Sequence, residues 1–254
     1  MYMRQPVRKS RREKIVEQPN QGRKTKEKFA VKNQPEPIYA KTEKQKKYLA
    51  MLNDPDIQLI VVQGLHGAGK SFLSATVAAD QFRTNQISQI IVARPYVQTG
   101  KSSGAKPGTS LQKLYPYVRN VLDPIRKRHG SAVFDIALAD GERGDIQVQE
   151  IESIRGRSFD EDSWLLIEEA QQTTPEEMIA IVTRVSDRCK LVVSGDLRQR
   201  DIRGDSGLQW LLDFVQRHNV PGVGVINFDS PDDIVRGGLV RHVAIGLAKD
   251  SNIL

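Results

Sequence analysis

With a single cysteine, Cys189, in 254 residues, the chain can close no internal disulfide and build no thiolate metal cluster. Histidine is scarce as well: His66, His129, His218 and His242 lie too far apart for metal-ligand spacing. No apolar run approaches the ~18 residues of a membrane span. The basic N-terminus lacks the ~7–15-residue apolar stretch of a signal peptide, so the expected location is cytoplasmic, with no membrane partner. Hydrophobic residues still make up 39%, enough to bury a core, which excludes wholesale disorder. The length suits one large domain, or one domain with an appendage.

Positive charge is present but unevenly placed. Residues 1–34 carry eleven Lys or Arg against Glu13, Glu17 and Glu27, a local charge of +8 against a total of +7. The remaining 220 residues are therefore close to neutral, at −1. This arm is rich in Gln, Asn and Pro and has no periodicity, so it is expected to be disordered. It could neutralise nucleic-acid phosphates with release of counterions, or it could be a solvated tail. Asn33–Tyr39, with Pro35 and Pro37, reads as a linker. The division predicted is residues 1–37 as arm and linker and residues 38–254 as the folded domain.

From Ile57 onward, short β-branched runs alternate with amphipathic stretches. The strands expected are Gln58–Gln63, Gln89–Ala93, Ile146–Gln149, Trp164–Ile167, Leu191–Ser194 and Val223–Phe228. The helices expected are Lys70–Thr84, Leu111–Arg128, Pro175–Val185, Gly207–Arg217 and Pro231–Lys249. Such alternation predicts an α/β fold, a mainly parallel sheet with helices on both faces. Between the second strand and its helix, Gln98–Ser110 is irregular, with several glycines and lysines, and loops of that length are often functional.

Residues 64–71, Gly-Leu-His-Gly-Ala-Gly-Lys-Ser, fit GxxxxGK[ST] between a strand and a helix. Glycines let backbone amides turn inward on phosphate oxygens, and the helix directs its positive end at the same place. Gly64, Gly67, Ala68, Gly69, Lys70, Ser71 and Phe72 are the expected contacts to a nucleoside triphosphate. Lys70 would meet the β- and γ-phosphates and Ser71 a Mg²⁺ ion. His66 receives no catalytic role. The strand Ser163–Ile167 delivers Glu168 and Glu169 at its end. Phosphoryl transfer to water needs a carboxylate for the hydrated metal and a group that orients water. Glu168 suits the first task and Glu169 the second. A further strand ends in Gly195-Asp196, followed by Gln199, a side chain able to sense the γ-phosphate. The same residues could also form an ordinary strand-to-loop turn.

The order of these motifs resembles that of the PhoH-like ATPases, a P-loop (RecA-like) family related to superfamily 1 helicase motor domains, from about Lys41 to Ala248. Lys41–Gln45 resembles the family's adenine-reading segment, which implies that Gln45 bonds the base. Arg94-Pro95, Gly100, Pro107-Gly108, the Arg155–Ser158 run, the Glu169–Glu176 segment, Gly195–Gln199, Asp233–Arg236 and Leu239-Val240 match further family segments. The resemblance implies ATP hydrolysis with ATP and Mg²⁺, and RNA or other single-stranded nucleic acid as partner. It also implies a homo-oligomer, in which a ring such as a hexamer would supply a second motor face. Arg236, expected at the start of the last helix, is the candidate transition-state arginine, with Arg155, Arg157 and Arg200 as alternatives. The sequence departs from the family pattern in having Glu168 where it has Asp, and Gly237-Gly238 where it has His-Pro. An ATP-dependent switch that hydrolyses slowly and acts through a protein partner is the competing function; a small-molecule kinase would need an acceptor site that no motif supplies. Tyr96, Tyr115, Tyr117, Lys101 and Lys106 could contribute to a nucleic-acid surface, whereas Trp164, Trp210 and Cys189 read as packing residues.

Overall fold

Six runs of aliphatic and β-branched residues form strands: β1 Leu59–Gly64, β2 Gln89–Arg94, β3 Ile146–Glu150, β4 Ser163–Ile167, β5 Cys189–Gly195 and β6 Val223–Phe228. They make one sheet in the order β3-β2-β4-β5-β1-β6, and all five pairings are parallel. The computed structural model describes residues 35–95, 109–139, 143–154, 156–159 and 162–249. The basic arm, Tyr96, Gly100, Lys101, Lys106, Pro107, Gly108 and Arg155 lie outside the described residues.

Between and around the strands run α1 Glu43–Asn53, α2 Lys70–Arg83, α3 Ser110–His129, α4 Ser131–Ala139, α5 Ile151–Ile154, α6 Pro175–Val182, α7 Gly207–His218 and α8 Leu239–Lys249. Side chains alternate across a strand with period two, and the sheet uses both faces. Ile60, Val62, Ile90, Val92, Leu166 and Val192 pack on one side with Tyr48 of α1, Leu73 of α2 and Leu122 of α3. Val61, Ile91, Ala93, Leu165 and Val193 pack on the other with Ile151 of α5, Met178 of α6 and Leu211 of α7. The strands are therefore continuous apolar runs, as expected where both sheet faces are covered. Trp164, at 1% exposure, and Cys189 are buried packing residues.

The structure differs from the sequence expectation in its helices. Nothing in the local pattern had singled out α1, α4 or α5. The α6 helix stops at Val182 rather than Val185, because Val185 pairs with Phe159 in an isolated parallel bridge. The expected helix Pro231–Lys249 is broken. Pro231–Asp233 is a 3₁₀ turn, the chain then runs non-helically, and α8 begins only at Leu239. Gly238 takes φ +65°, and the amide of Val235 bonds the carbonyl of Gly67 instead of a helical partner. Arg236 consequently precedes the helix at whose start it was expected.

One consequence of the topology positions the site. The helix after β1 lies on the first face and the helix after β5 on the second, although β1 and β5 are neighbours. In an open parallel sheet such a divergence leaves a crevice at the carboxyl ends of the strands, the usual place for a ligand. Here β5 separates β1 from β4, so three loops meet at that crevice.

Candidate active site at the ends of three neighbouring strands

The loop after β1 is shaped by glycines. Gly64 sits at φ +123°, and a Cβ there would lie 2.1 Å from the Phe228 carbonyl oxygen. Gly67 and Gly69 also have positive φ, 84° and 87°, a region that L side chains rarely enter. The loop thereby curls around the N-terminus of α2, whose first residue is Lys70. The Lys70 ammonium is largely buried and donates to the carbonyls of Gly64 at 2.5 Å and Leu65 at 3.1 Å. Burial lowers its pKa, and the charges of Asp196, Glu168 and Glu169 oppose that. An inward-turned loop, a helix N-terminus and a lysine together complement a chain of phosphates.

Ser71 and Glu168, 97 residues apart in sequence, meet at 2.6 Å, the hydroxyl donating to Glu168 Oε2. Glu168 follows β4, and its amide extends the β2–β4 ladder by bonding the Ala93 carbonyl. Its side chain is only 5% exposed. Burial lifts the carboxyl pKa to about 7, with Glu169 adding to the shift and Ser71, Lys70 and Asn120 opposing it. Two hard oxygen donors in contact fit a Mg²⁺ ion, which keeps most of its waters and takes one or two protein oxygens. Asn120 of α3, which the sequence reading missed, donates to the same Glu168 oxygen at 3.3 Å.

Glu169 holds a left-handed backbone, φ 54° and ψ 39°, a conformation that costs about 1–3 kcal/mol in a non-glycine residue and clusters at functional sites. Its carboxylate accepts a hydrogen bond from Gln171 Nε2 at 2.7 Å. The other end of the buried Gln171 amide accepts from the amide of Asp196 at 3.1 Å, so one side chain ties the end of β4 to the end of β5. Gly195 must stay small for this, since a Cβ would lie 2.6 Å from Gln171 Oε1. Gln199 donates to Asp196 at 3.2 Å and its Oε1 meets His66 Nε2 of the phosphate loop. His66, given no role in the sequence reading, is thus the partner of the expected sensor.

The remaining candidates fall into two groups. Gln45, buried on α1, donates to the Ala68 carbonyl and accepts from the Lys41 amide, both at 2.8 Å; the structure places it under the phosphate loop. Phe72 is half exposed at 53%. Gln45, Gly67, Lys70, Ser71, Asn120 and Arg236 line one cavity of about 410 Å³. Arg157 bonds Gln147 and faces Phe159 away from this cavity's lining, and Arg200 is exposed beyond the turn that carries Gln199. Tyr115 packs against the core, while Tyr117 stays exposed with the Arg94 guanidinium 5.4 Å from its ring centre.

Comparison with known proteins identifies a family. A family profile described as "PhoH-like protein" matches residues 37–246. A PhoH-like protein of Bacillus subtilis is 32% identical over 208 residues, 81% of this chain and 62% of that protein. Protein PhoH of Escherichia coli K12 is 33% identical over 208 residues, 81% of this chain and 57% of that one. The chain thus spans about three fifths of the length of these relatives. Among solved structures, the large terminase of a thermophilic bacteriophage superposes with a TM-score of 0.52 at 14% identity, over 82% of this chain and 50% of that one, a likeness of fold.

Proposed function

Since the chain belongs to the PhoH-like protein family, and since its fold is that of a P-loop domain, we propose that it binds ATP with Mg²⁺ and hydrolyses the terminal phosphate. The observation that carries the reading is the Ser71–Glu168 contact of 2.6 Å beside the buried Lys70. A metal held by these two oxygens would neutralise charge on the phosphates. In this reading Lys70 binds the β- and γ-phosphates, Glu169 orients the attacking water, and Gln199 contacts the γ-phosphate. Arg236 meets the charge that develops in the transition state. Gln45 holds the loop from beneath, and its second amide N–H would bond the base.

The proposal extends to RNA or single-stranded nucleic acid as partner and to a homo-oligomer such as a hexameric ring. The +8 charge of residues 1–34 supports the first. A single phosphate cradle among the described residues is compatible with the second, in which a neighbouring copy would supply the facing surface. The competing reading, a slow ATP-dependent switch acting through a protein partner, draws on Glu168, which is one methylene longer than the Asp of the family pattern at the expected metal site. Turnover measured with and without single-stranded RNA and DNA separates the two: marked stimulation supports the motor, a slow unstimulated rate the switch. Lys70→Ala should lose tight ATP binding, and Glu169→Gln should keep ATP while turnover stops. Equal ATP affinity in wild type and Lys70→Ala would overturn the cradle assignment.

A further inference from the structure

The segment that carries Arg236 is fastened to the cradle of its own chain at two places. At the first, the Lys44 ammonium of α1 pairs with Asp229 at 2.6 Å and with Asp233 at 2.8 Å. Asp233 is 4% exposed and also accepts from the Ser230 amide, closing a capping box over the 3₁₀ turn. Burial alone would lower the Lys44 pKa, yet the bonds to the two aspartates outweigh it and leave the pKa raised. At the second, the Val235 amide bonds the Gly67 carbonyl at 3.0 Å. A methyl group on Gly67 would lie 3.4 Å from Ile234 Cγ2 and 3.5 Å from both Cβ and Cδ of Arg236. Lys44 adjoins Gln45, which holds the same loop from below. Both fastenings therefore run through elements that shape a single cradle.

We propose that Lys44 is a positioning residue: through Asp229 and Asp233 it holds Arg236 over the phosphate loop of the same chain, so that the arginine acts in cis. The inference rests on the ATP-hydrolysis reading and assigns within it which subunit supplies the arginine. Arg236 itself is exposed and lines the cavity, so it has room to turn toward a bound phosphate. Being next to the bonded Val235 amide and three residues from the buried Asp233, it has little reach toward a neighbour's cradle.

The test is a double-mutant cycle on the full chain at saturating ATP and Mg²⁺, with thermal midpoints as a check on folding. Arg236→Ala should lower kcat by about a thousandfold or more, in line with other transition-state arginines. Lys44→Met should lower kcat in the same sense with KM little changed, and Lys44→Arg should recover much of the loss. In the Arg236→Ala background, Lys44→Met should cost nothing more, a result that a merely stabilising ion pair would not give. Asp229→Asn, which removes the more exposed partner, gives a second variant with an intermediate loss should Lys44→Met fold poorly. Mixtures of Arg236→Ala and Lys70→Ala subunits, once shown to exchange, should remain as inactive as the separate proteins. Losses that multiply, or activity restored by mixing, would overturn the latch and the cis arginine. A wild-type chain without ATPase activity would overturn the proposed function itself, a distinguishable result.

Discussion

Glu168 lies where solvation, hydrogen bonding and charge disagree. Burial raises its carboxyl to about 7, while the Ser71 hydroxyl, Lys70 and Asn120 pull it down. In the unfolded chain the group should titrate near an ordinary Glu, at about 4.3. Between these two values the folded chain keeps a proton that the unfolded chain has lost, so stability falls as pH rises through that window and levels off above about 7. Glu168→Gln removes the titration. Without divalent cation, its unfolding free energy should exceed that of wild type by up to ~3 kcal/mol at pH 8, and the gap should narrow toward pH 5. Urea unfolding at the two pH values measures this. A gap that does not change with pH would mean that Glu168 is ionised throughout.

At the scale of elements, the segment around α1 is held at its start by its own cap and at its end by a group distant in sequence. The Thr42 hydroxyl caps its start by accepting from the Gln45 amide. At its C-terminal end Lys190 of β5 donates to the carbonyls of Leu52 at 3.0 Å and Asp54 at 2.7 Å, with Met51 at 3.5 Å. A cation suits a helix C-terminus because the last carbonyls are unpaired and carry the negative end of the dipole. The same ammonium lies 5.6 Å from the centre of the Trp164 ring. Burial lowers its pKa to about 8, a sign that the stem is desolvated for these bonds. Lys190→Met keeps the stem and removes the donors, and should cost about 1–3 kcal/mol. Urea unfolding should show a lower midpoint with an unchanged slope. A loss below about 0.5 kcal/mol would show that water replaces the ammonium at the carbonyls.

For the whole molecule, the charge asymmetry is the clearest large-scale feature: a near-neutral body and a basic arm. Among the described residues no helix is long and apolar enough to cross a membrane, and no group of three metal-ligating side chains occurs. Deleting residues 1–34 should leave basal ATP turnover nearly unchanged, since the cradle and its carboxylates all lie beyond the arm. Affinity for single-stranded nucleic acid should fall, and the slope of log affinity against log salt should flatten by ~0.7–0.9 for each phosphate that the arm no longer neutralises. Binding titrations at several salt concentrations would check both. An unchanged affinity and slope would reduce the arm to a solvated tail.

All six strands were legible in the sequence because each is a local run of β-branched and aliphatic residues closed by a turn. The phosphate loop was legible for a similar reason, since glycines, Lys70 and Ser71 follow one another between a strand and a helix. Glu168 and Glu169 also stood out as the acidic end of an apolar strand. The meeting of Glu168 with Ser71 was not encoded locally; it follows from β5 coming between β1 and β4. Asn120 reaches Glu168 across 48 residues, His66 reaches Gln199 across 133, and Lys44 reaches Asp233 across 189. No periodicity marks such residues, because each is an ordinary polar side chain whose partner is brought near only by the fold. The last helix shows the converse: a helical pattern from Pro231 gave way once the Val235 amide found the Gly67 carbonyl and Gly238 turned the chain. Sequence decided what each segment could be, and the sheet's strand order decided which of those segments would share a site.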